Sequence, residues 1–232
     1  MRKPVVDYRQ FRFSKIAHPE YNHLLYALGW IGYFILYLIT ENTIVTEYHV
    51  IYSPLDDLLF PFCEWFVIPY VFWYFLIAFT LVYMALYNPK GFKWFMVFLM
   101  VCQYVGMAIY IIYPNGQNLR PDLSQLGREN PLTQLVGLLY SADTNTNVCP
   151  SMHVAYSIGI ASVWLKEKTA NIPFKIFIVF CAVIISLSTC FIKQHSIVDA
   201  FVAIPLCILA EVVAFGKGYW WPKLKKTPVV AQ

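Results

Sequence analysis

The sequence predicts an all-α integral membrane protein with six transmembrane helices and with both termini in the cytoplasm. Hydrophobic residues make up 59% of the 232 residues and charged residues only 13%, with a mean hydropathy of +0.56. Soluble domains do not have this balance. Long apolar stretches recur along the chain, and each can cross the roughly 30 Å of bilayer hydrocarbon as a helix. Most basic residues fall in segments that would share one side of the membrane, which predicts the orientation.

The apolar stretches define a membrane domain, residues 24–215, between a short N-terminal tail, 1–23, and a C-terminal tail, 216–232. They mix Ile, Val, Phe, Tyr and Leu without strict alternation and exceed the roughly ten residues of a barrel strand, which favours helices. The predicted spans are 24–40, 65–87, 94–113, 151–166, 174–192 and 196–215.

The last two spans are predicted as separate crossings because the segment from Ile172 to Phe215 is too long for one. The polar residues Lys193, Gln194 and His195 interrupt this segment. We therefore expect the chain to leave the membrane there and His195 to lie near the start of the sixth span.

The distribution of charge predicts which connections are extracytoplasmic. All but three of the 17 Lys and Arg residues lie in the two tails and in two of the connections between spans. The exceptions are Arg120, Arg128 and Lys193. The positive-inside rule places the tails in the cytoplasm and the connections 41–64 and 114–150 outside it. No cleaved signal peptide is predicted, and we expect an integral multi-pass protein of the plasma membrane.

Three polar clusters lie near the predicted outer ends of spans and therefore map to one face of the membrane. They are residues 118–122, 149–153 and 193–199, which together contain two histidines, two cations and a carboxylate within a span. Basic and imidazole groups that converge from separate segments are suited to binding and turning over an anionic group. Each residue taken alone could instead be an interfacial side chain with its polar end among the headgroups.

The second cluster, Cys-Pro-Ser-Met-His, is typical of a helix start. Pro150 suits the first turn, where its missing N–H costs nothing. A phosphate at this position would meet free backbone amides, the Ser151 hydroxyl and the positive end of the helix dipole. His153 would stand in the first turn, close enough to exchange a proton with a leaving group.

In the third cluster, His195 and Asp199 are four residues apart and would share one face of a helix. The carboxylate could then hold one imidazole N–H and leave the other ring nitrogen free as a nucleophile. An unpaired carboxylate inside a span is costly, so a partner for Asp199 is expected.

These clusters resemble the signature of the type 2 phosphatidic acid phosphatase superfamily, which reads K-x6-R-P, then P-S-G-H, then S-R-x5-H-x3-D. The matching positions are Arg120-Pro121, then Pro150-Ser151-Met152-His153, then Ser188 followed by His195 and Asp199. The resemblance covers roughly residues 113–199. Three positions depart from the pattern: Tyr113 for the first lysine, Met152 for the glycine and Thr189 for the arginine.

The resemblance implies a phosphohistidine mechanism without metal or other cofactor. His195 would attack phosphorus, Asp199 would orient it and His153 would protonate the leaving oxygen. Arg120 and Ser151 would bind phosphate oxygens, with Met152 beside them. Lys193 could replace the arginine missing at Thr189 from the next turn, provided that the helix continues that far.

The expected function is therefore that of a membrane lipid phosphatase acting on a phosphate monoester or pyrophosphate. Its partners would be the lipid phosphate and the surrounding membrane lipids, with no nucleic acid. The run K-Q-H-S-I-V-D, residues 193–199, also resembles the inositol phosphorylceramide synthase branch, in which a head group passes to a lipid alcohol. A non-catalytic lipid-phosphate binding or transport protein is the third alternative, favoured by Tyr113 and Thr189.

Overall fold

The computed structural model describes residues 3–43 and 47–224, most of which are helical. The helices are α1 (Gly29–Thr43), α2 (Pro54–Leu58), α3 (Val67–Tyr87), α4 (Pro89–Ile112), α5 (Pro131–Ala142), α6 (Met152–Lys166), α7 (Ile172–Phe191), α8 (Ile197–Phe215) and α9 (Trp221–Leu224). A 3₁₀ segment, Asn22–Leu28, precedes α1, and a π-helical turn, Gly216–Trp220, joins α8 to α9.

Five helical segments in the described part of the chain are long and apolar enough to cross a membrane. They are Asn22–Thr40, Glu64–Tyr87, Pro89–Ile112, Ile172–Phe191 and Ile197–Lys223. Each overlaps one of the predicted spans, although the last continues well beyond residue 215. The expectation of a helical membrane protein is therefore confirmed.

The predicted span 151–166 corresponds to α6, which has 15 residues. At 1.5 Å per residue this helix is only about 22 Å long. It packs against α4, α7 and α8 and buries residues on several sides, including Tyr156, Gly159 and Trp164. A helix enclosed by others does not need to present a full apolar length to lipid. The count of six spans and the orientation of the termini stay predictions.

The two connections predicted on one side of the membrane lie against each other. Strand β1 (His49–Val50) pairs in parallel with strand β2 (Asn115–Gly116). The connection 114–150 also contains α5, which the sequence analysis did not predict. Asn130, at the N-terminus of α5, donates to the buried Glu64 carboxylate at 3.2 Å, and Arg128 forms an ion pair with it at 3.0 Å. The two connections therefore form a folded cap over this end of the bundle.

The predicted break between the last two spans is confirmed. Helix α7 ends at Phe191 and α8 begins at Ile197. Lys193 has a φ of +55°, in the left-handed region, and this reverses the chain. The amides of Gln194 and His195 then donate to the Thr189 carbonyl at 2.9 and 3.1 Å. The last turn of α7 thus fixes the position of His195.

The interior is closely packed around α6, and a buried polar contact joins this helix to α3. The Trp164 indole N–H on α6 donates to the Thr80 hydroxyl oxygen on α3 at 3.0 Å. Both side chains are at least 98% buried. Since no water competes for these groups, the contact fixes how α3 and α6 face each other.

Replacing Thr80 with Val should lower the free energy of unfolding by roughly 1–3 kcal/mol, because the Trp164 N–H would lose its acceptor in a dry interior. Thermal unfolding in detergent micelles measures the change. Ser186→Ala is the matched control, since within residues 3–43 and 47–224 the Ser186 hydroxyl bonds only to the Ala182 carbonyl of its own helix. Equal stability of Thr80→Val and the wild type would contradict the prediction.

Candidate functional site

His153 and His195 line one cavity of about 400 Å³ at the capped end of the bundle. The cavity extends between α1, α3, α4 and α6, and aromatic side chains form a large part of its wall. The aromatic lining residues are Trp30, Tyr33, Phe34, Tyr37, Trp73, Tyr74, Tyr110 and Tyr156. Part of the 114–150 connection, including Asp143 and Val148, also lines the cavity. The two imidazoles therefore lie in a cavity whose wall is largely apolar.

His195 is hydrogen-bonded to Asp199 as predicted, with 3.1 Å between Nδ1 and Oδ2. The geometry differs from the predicted one, because His195 precedes α8 and the two residues do not share a helical face. Ser196 is the N-cap of α8, and the Asp199 carboxylate also accepts from the Ser196 amide at 3.0 Å. Asp199 is fully buried. One carboxylate thus caps the helix and holds the imidazole.

His153 lies in the first turn of α6 and faces His195 across the cavity, with 5.7 Å between the ring centroids. Its ring packs against Tyr70 and Trp73, with centroid distances of 4.5 and 4.6 Å. Its Nε2 atom is buried and has no hydrogen-bond partner among the described residues. No described protein group therefore occupies this nitrogen, which belongs to a residue that lines the cavity.

Helix α6 begins at Met152, so the prediction that Pro150 lies in its first turn is wrong. Ser151 is the N-cap, and its hydroxyl accepts from the Val154 amide at 3.4 Å. The Ser151 amide donates to the Asp199 carbonyl at 3.1 Å. Ser151 therefore ties the start of α6 to the first turn of α8, and a contact with phosphate stays a prediction.

Met152, at the position of the superfamily's glycine, fits because α4 has a glycine opposite it. A Cβ atom added to Gly106 would lie 2.6 Å from the Met152 methyl carbon. The long side chain thus occupies space that a larger residue on α4 would fill. Met152 lines the cavity and packs against the main core.

Arg120 lies just behind the cavity wall. Its guanidinium donates to the carbonyls of Tyr140, Asp143 and Thr144 and, at 2.5 Å, to the side-chain oxygen of Gln194. Burial lowers the pKa of Arg120, but the guanidinium remains protonated at physiological pH. Arg120 therefore contacts Gln194, the neighbour of His195, and not the cavity itself. A direct contact between Arg120 and phosphate stays a prediction.

Lys193 and Tyr113 do not join the histidines. The Lys193 ammonium donates to the Asp56 carbonyl at 2.6 Å and lies 3.6 Å from the Asp57 carboxylate. Helix α7 ends at Phe191, before Lys193. Lys193 therefore cannot replace the arginine missing at Thr189 from a further turn of that helix, and the hypothesis that it does so is wrong. Tyr113 stacks on His49 with 4.2 Å between centroids and is 46% exposed.

Asp56 is a supporting residue that the sequence analysis did not identify. It is 1% exposed, and its carboxylate accepts from the Ser196 hydroxyl at 2.6 Å and from the Ile197 amide at 2.7 Å. An acidic group at a helix N-terminus is stabilised by the free amides and the dipole. Asp56 therefore anchors the turn that carries His195, from a connection more than 130 residues earlier in the chain.

Two buried amides in the run after the third span have a similar supporting role. The Asn115 side-chain oxygen accepts from the amides of Val148 and Cys149 at 3.0 and 2.8 Å. The Gln117 side chain donates to the Lys193 carbonyl at 3.0 Å. A polar run directly after an apolar span indicates side chains that bind backbone groups near the end of the span. The sequence does not show which backbone groups Asn115 and Gln117 bind.

The Cys149 thiol lies beside the Asp199 carboxylate at the start of α6. Burial, together with that carboxylate, raises the thiol pKa to about 12, so it stays neutral at physiological pH. No group of three or more His, Cys, Asp or Glu side chains suited to a metal occurs among residues 3–43 and 47–224. The residues brought together support acid–base and nucleophilic chemistry by histidine.

No family model matches the chain, and neither a curated protein nor a solved structure is significantly similar to it.

Replacing Asp56 with Asn should destabilise the His195 turn, because an amide supplies one acceptor oxygen where the carboxylate binds three donors, the Ser196 hydroxyl and the amides of Ile197 and Ser53. We expect a loss of roughly 1–3 kcal/mol in the free energy of unfolding. The rate at which diethyl pyrocarbonate modifies His195 should also change. Asp57→Asn is the control. The Asp57 side chain is 65% exposed, and like the Asp56 carbonyl it lies near the Lys193 ammonium.

Both measurements can contradict the anchoring role of Asp56. The Asp57 variant should stay within roughly 0.5 kcal/mol of the wild type, with an unchanged modification rate at His195. If the Asp56 and Asp57 variants behave alike, the buried carboxylate does not hold the turn.

Proposed function

We propose that this chain is a metal-independent lipid phosphatase, which hydrolyses a lipid phosphate monoester or pyrophosphate through a phosphohistidine. The observation that supports this most is the pair of imidazoles in one cavity, with His195 bonded to a buried carboxylate. The His153 Nε2 atom, unpartnered in the described part of the chain, supplies the acid on the other side. Nucleophile, orienting group and acid are the parts that such a reaction needs.

In the first half-reaction, Asp199 holds the Nδ1–H of His195, and the other ring nitrogen attacks phosphorus. A nitrogen–phosphorus bond forms as the bond between phosphorus and the lipid oxygen breaks. His153, in its protonated form, gives its proton to that oxygen, so that the lipid leaves as an alcohol. For a pyrophosphate, the leaving group is the lipid monophosphate.

In the second half-reaction, water attacks the phosphohistidine. His153 accepts a proton from the water, the nitrogen–phosphorus bond breaks and inorganic phosphate leaves. His195 returns to its starting state with Asp199 still bonded to Nδ1. No other reactant is required, and the same histidine serves as acid and then as base.

Several groups could stabilise the phosphate without a cation in the cavity wall. The first amides of α6 point outward at the positive end of its dipole, which is worth roughly half a charge. Arg120 polarises Gln194 from behind the wall at 2.5 Å. Ser151, Met152 and these groups would together form the phosphate subsite that the resemblance implies.

The membrane setting of the proposal is a six-span bundle with cytoplasmic termini and an extracytoplasmic site in the plasma membrane. Five apolar helices and the scarcity of basic residues in the cap segments support it. The short α6 would be the sixth span, shielded from lipid by α4, α7 and α8. An aromatic compartment next to the histidines suits an amphiphile whose tail remains in the membrane.

A phosphotransferase that passes the phosphorylated head group to a lipid alcohol is the second candidate. The run 193–199 favours it, as does the apolar cavity, which would admit a second lipid more readily than bulk water. A non-catalytic lipid-phosphate binding or transport protein is the third candidate. It is favoured by the cavity lining, which contains neither Lys nor Arg among the described residues.

Purified protein incubated with a panel of lipid phosphates should release inorganic phosphate without an added alcohol. His195→Ala should lower the rate by about 10³-fold or more, because the covalent route is lost. Wild type quenched in alkaline detergent should retain labelled phosphate on His195, because a phosphohistidine is stable in alkali but is hydrolysed by acid. The matched control is His49→Ala, since His49 is exposed and lies outside the cavity.

The possible outcomes separate the three candidates. A new lipid that forms only when an acceptor alcohol is present would indicate transfer. Binding of lipid phosphates without labelled His195, and equal behaviour of His195→Ala and wild type, would indicate the non-catalytic alternative and overturn the proposal.

A further inference from the structure

A second set of polar atoms lies around the same cavity, deeper in the bundle than the histidines. The side-chain oxygen of Gln103 and the indole nitrogens of Trp30 and Trp73 all belong to residues that line the cavity. All three atoms are buried and have no hydrogen-bond partner within the described ranges. Gln103 is 2% exposed and Trp73 is 9% exposed. Polar atoms in such a place are costly unless a ligand satisfies them.

The three residues lie near one level, about one helical turn below the imidazoles. His153 and Tyr156 are three residues apart on α6, which corresponds to a rise of about 4.5 Å. The Gln103 amide interacts with the Tyr156 hydroxyl. Trp73 contacts both levels, with ring distances of 4.6 Å to His153 and 5.8 Å to Tyr156.

Trp30 is brought to this level by a contact between α1 and α4. The Tyr104 hydroxyl donates to the Gly29 carbonyl at 2.8 Å, so the start of α1 lies beside the middle of α4. Gln103 and Trp30 are the chain neighbours of these two residues. A lipid with its phosphate between the histidines would place its linker, and not the end of its tail, among Gln103, Trp30 and Trp73.

The three atoms differ in what they can bind. The Gln103 oxygen accepts a hydrogen bond, whereas the two indole nitrogens donate one. A plain hydrocarbon chain satisfies none of them. A linker made only of esters offers oxygens to the indoles but has no hydrogen for Gln103. A linker with a hydroxyl or an amide N–H, next to an oxygen, satisfies both kinds.

We propose that Gln103 selects lipid phosphates whose linker carries a hydrogen-bond donor, a hydroxyl or an amide N–H, with Trp30 and Trp73 binding a linker oxygen. This inference rests on the proposed function, because it uses a phosphate held between His153 and His195. It makes Gln103 a specificity-determining residue that takes no part in the chemical step.

A matched pair of lipids tests the hydroxyl. One is a 1-acyl-glycerol 3-phosphate with a free 2-hydroxyl, and the other is its 2-O-methyl ether. The wild type should prefer the hydroxyl lipid in kcat/KM by roughly 10-fold or more, since the ether leaves the Gln103 oxygen unpaired. Gln103→Leu should reduce that ratio to about one. Gln134→Leu, the same change at an exposed position on α5, should keep it.

A second pair tests the amide. It consists of an N-acyl amino alcohol phosphate and the same lipid with an N-methylated amide. A preference for the unmethylated lipid that Gln103→Leu abolishes would assign the amide N–H as a donor; a preference confined to the first pair would assign the hydroxyl. A wild type that distinguishes neither pair, or a ratio that Gln103→Leu leaves unchanged, would overturn the inference.

Binding separates this inference from the reaction itself. The rise in unfolding temperature caused by each lipid should follow the same order in His195→Ala, which cannot form the covalent intermediate. If no lipid is hydrolysed but the hydroxyl lipid still stabilises more than its ether, and Gln103→Leu cancels the difference, the hydrolysis fails and the selectivity stands. If hydrolysis occurs without any such difference in binding or rate, the selectivity fails and the phosphatase stands.

Discussion

The fully buried carboxylate of Asp199 is the group on which the arrangement of the site depends. A charge in that position is tolerated only with partners, and Asp199 has the His195 ring and the Ser196 amide. Its backbone carbonyl binds the Ser151 amide, so the same residue also fixes the start of α6. The two histidine-bearing segments are therefore placed relative to each other by one residue.

The cap extends this dependence to distant parts of the chain. Asp56 holds the first turn of α8, and Gln117 holds the turn before it. Arg120 joins the end of α5 to Gln194. These polar side chains thus connect the segments around the site. This accounts for the cations near the histidines that do not line the cavity.

The positions that depart from the superfamily pattern have local physical explanations in two cases. Met152 fits because Gly106 leaves room for its methyl group. Tyr113 stacks on His49, so its ring packs at the rim.

The composition alone determined the helical membrane class. The span lengths determined the break near residue 193, and the four-residue spacing of His195 and Asp199 determined the pairing of imidazole with carboxylate. These features depend on local chemistry, because a long apolar run must be helical in lipid and a buried acid needs a near partner. Only the tertiary structure decided where Lys193 and Arg120 point, that α5 and the β1–β2 pair form a cap, and that Asp56 and Gln103 belong to the site. Those outcomes depend on which partners the polar side chains meet across more than 70 residues of chain, and no local pattern specifies such contacts.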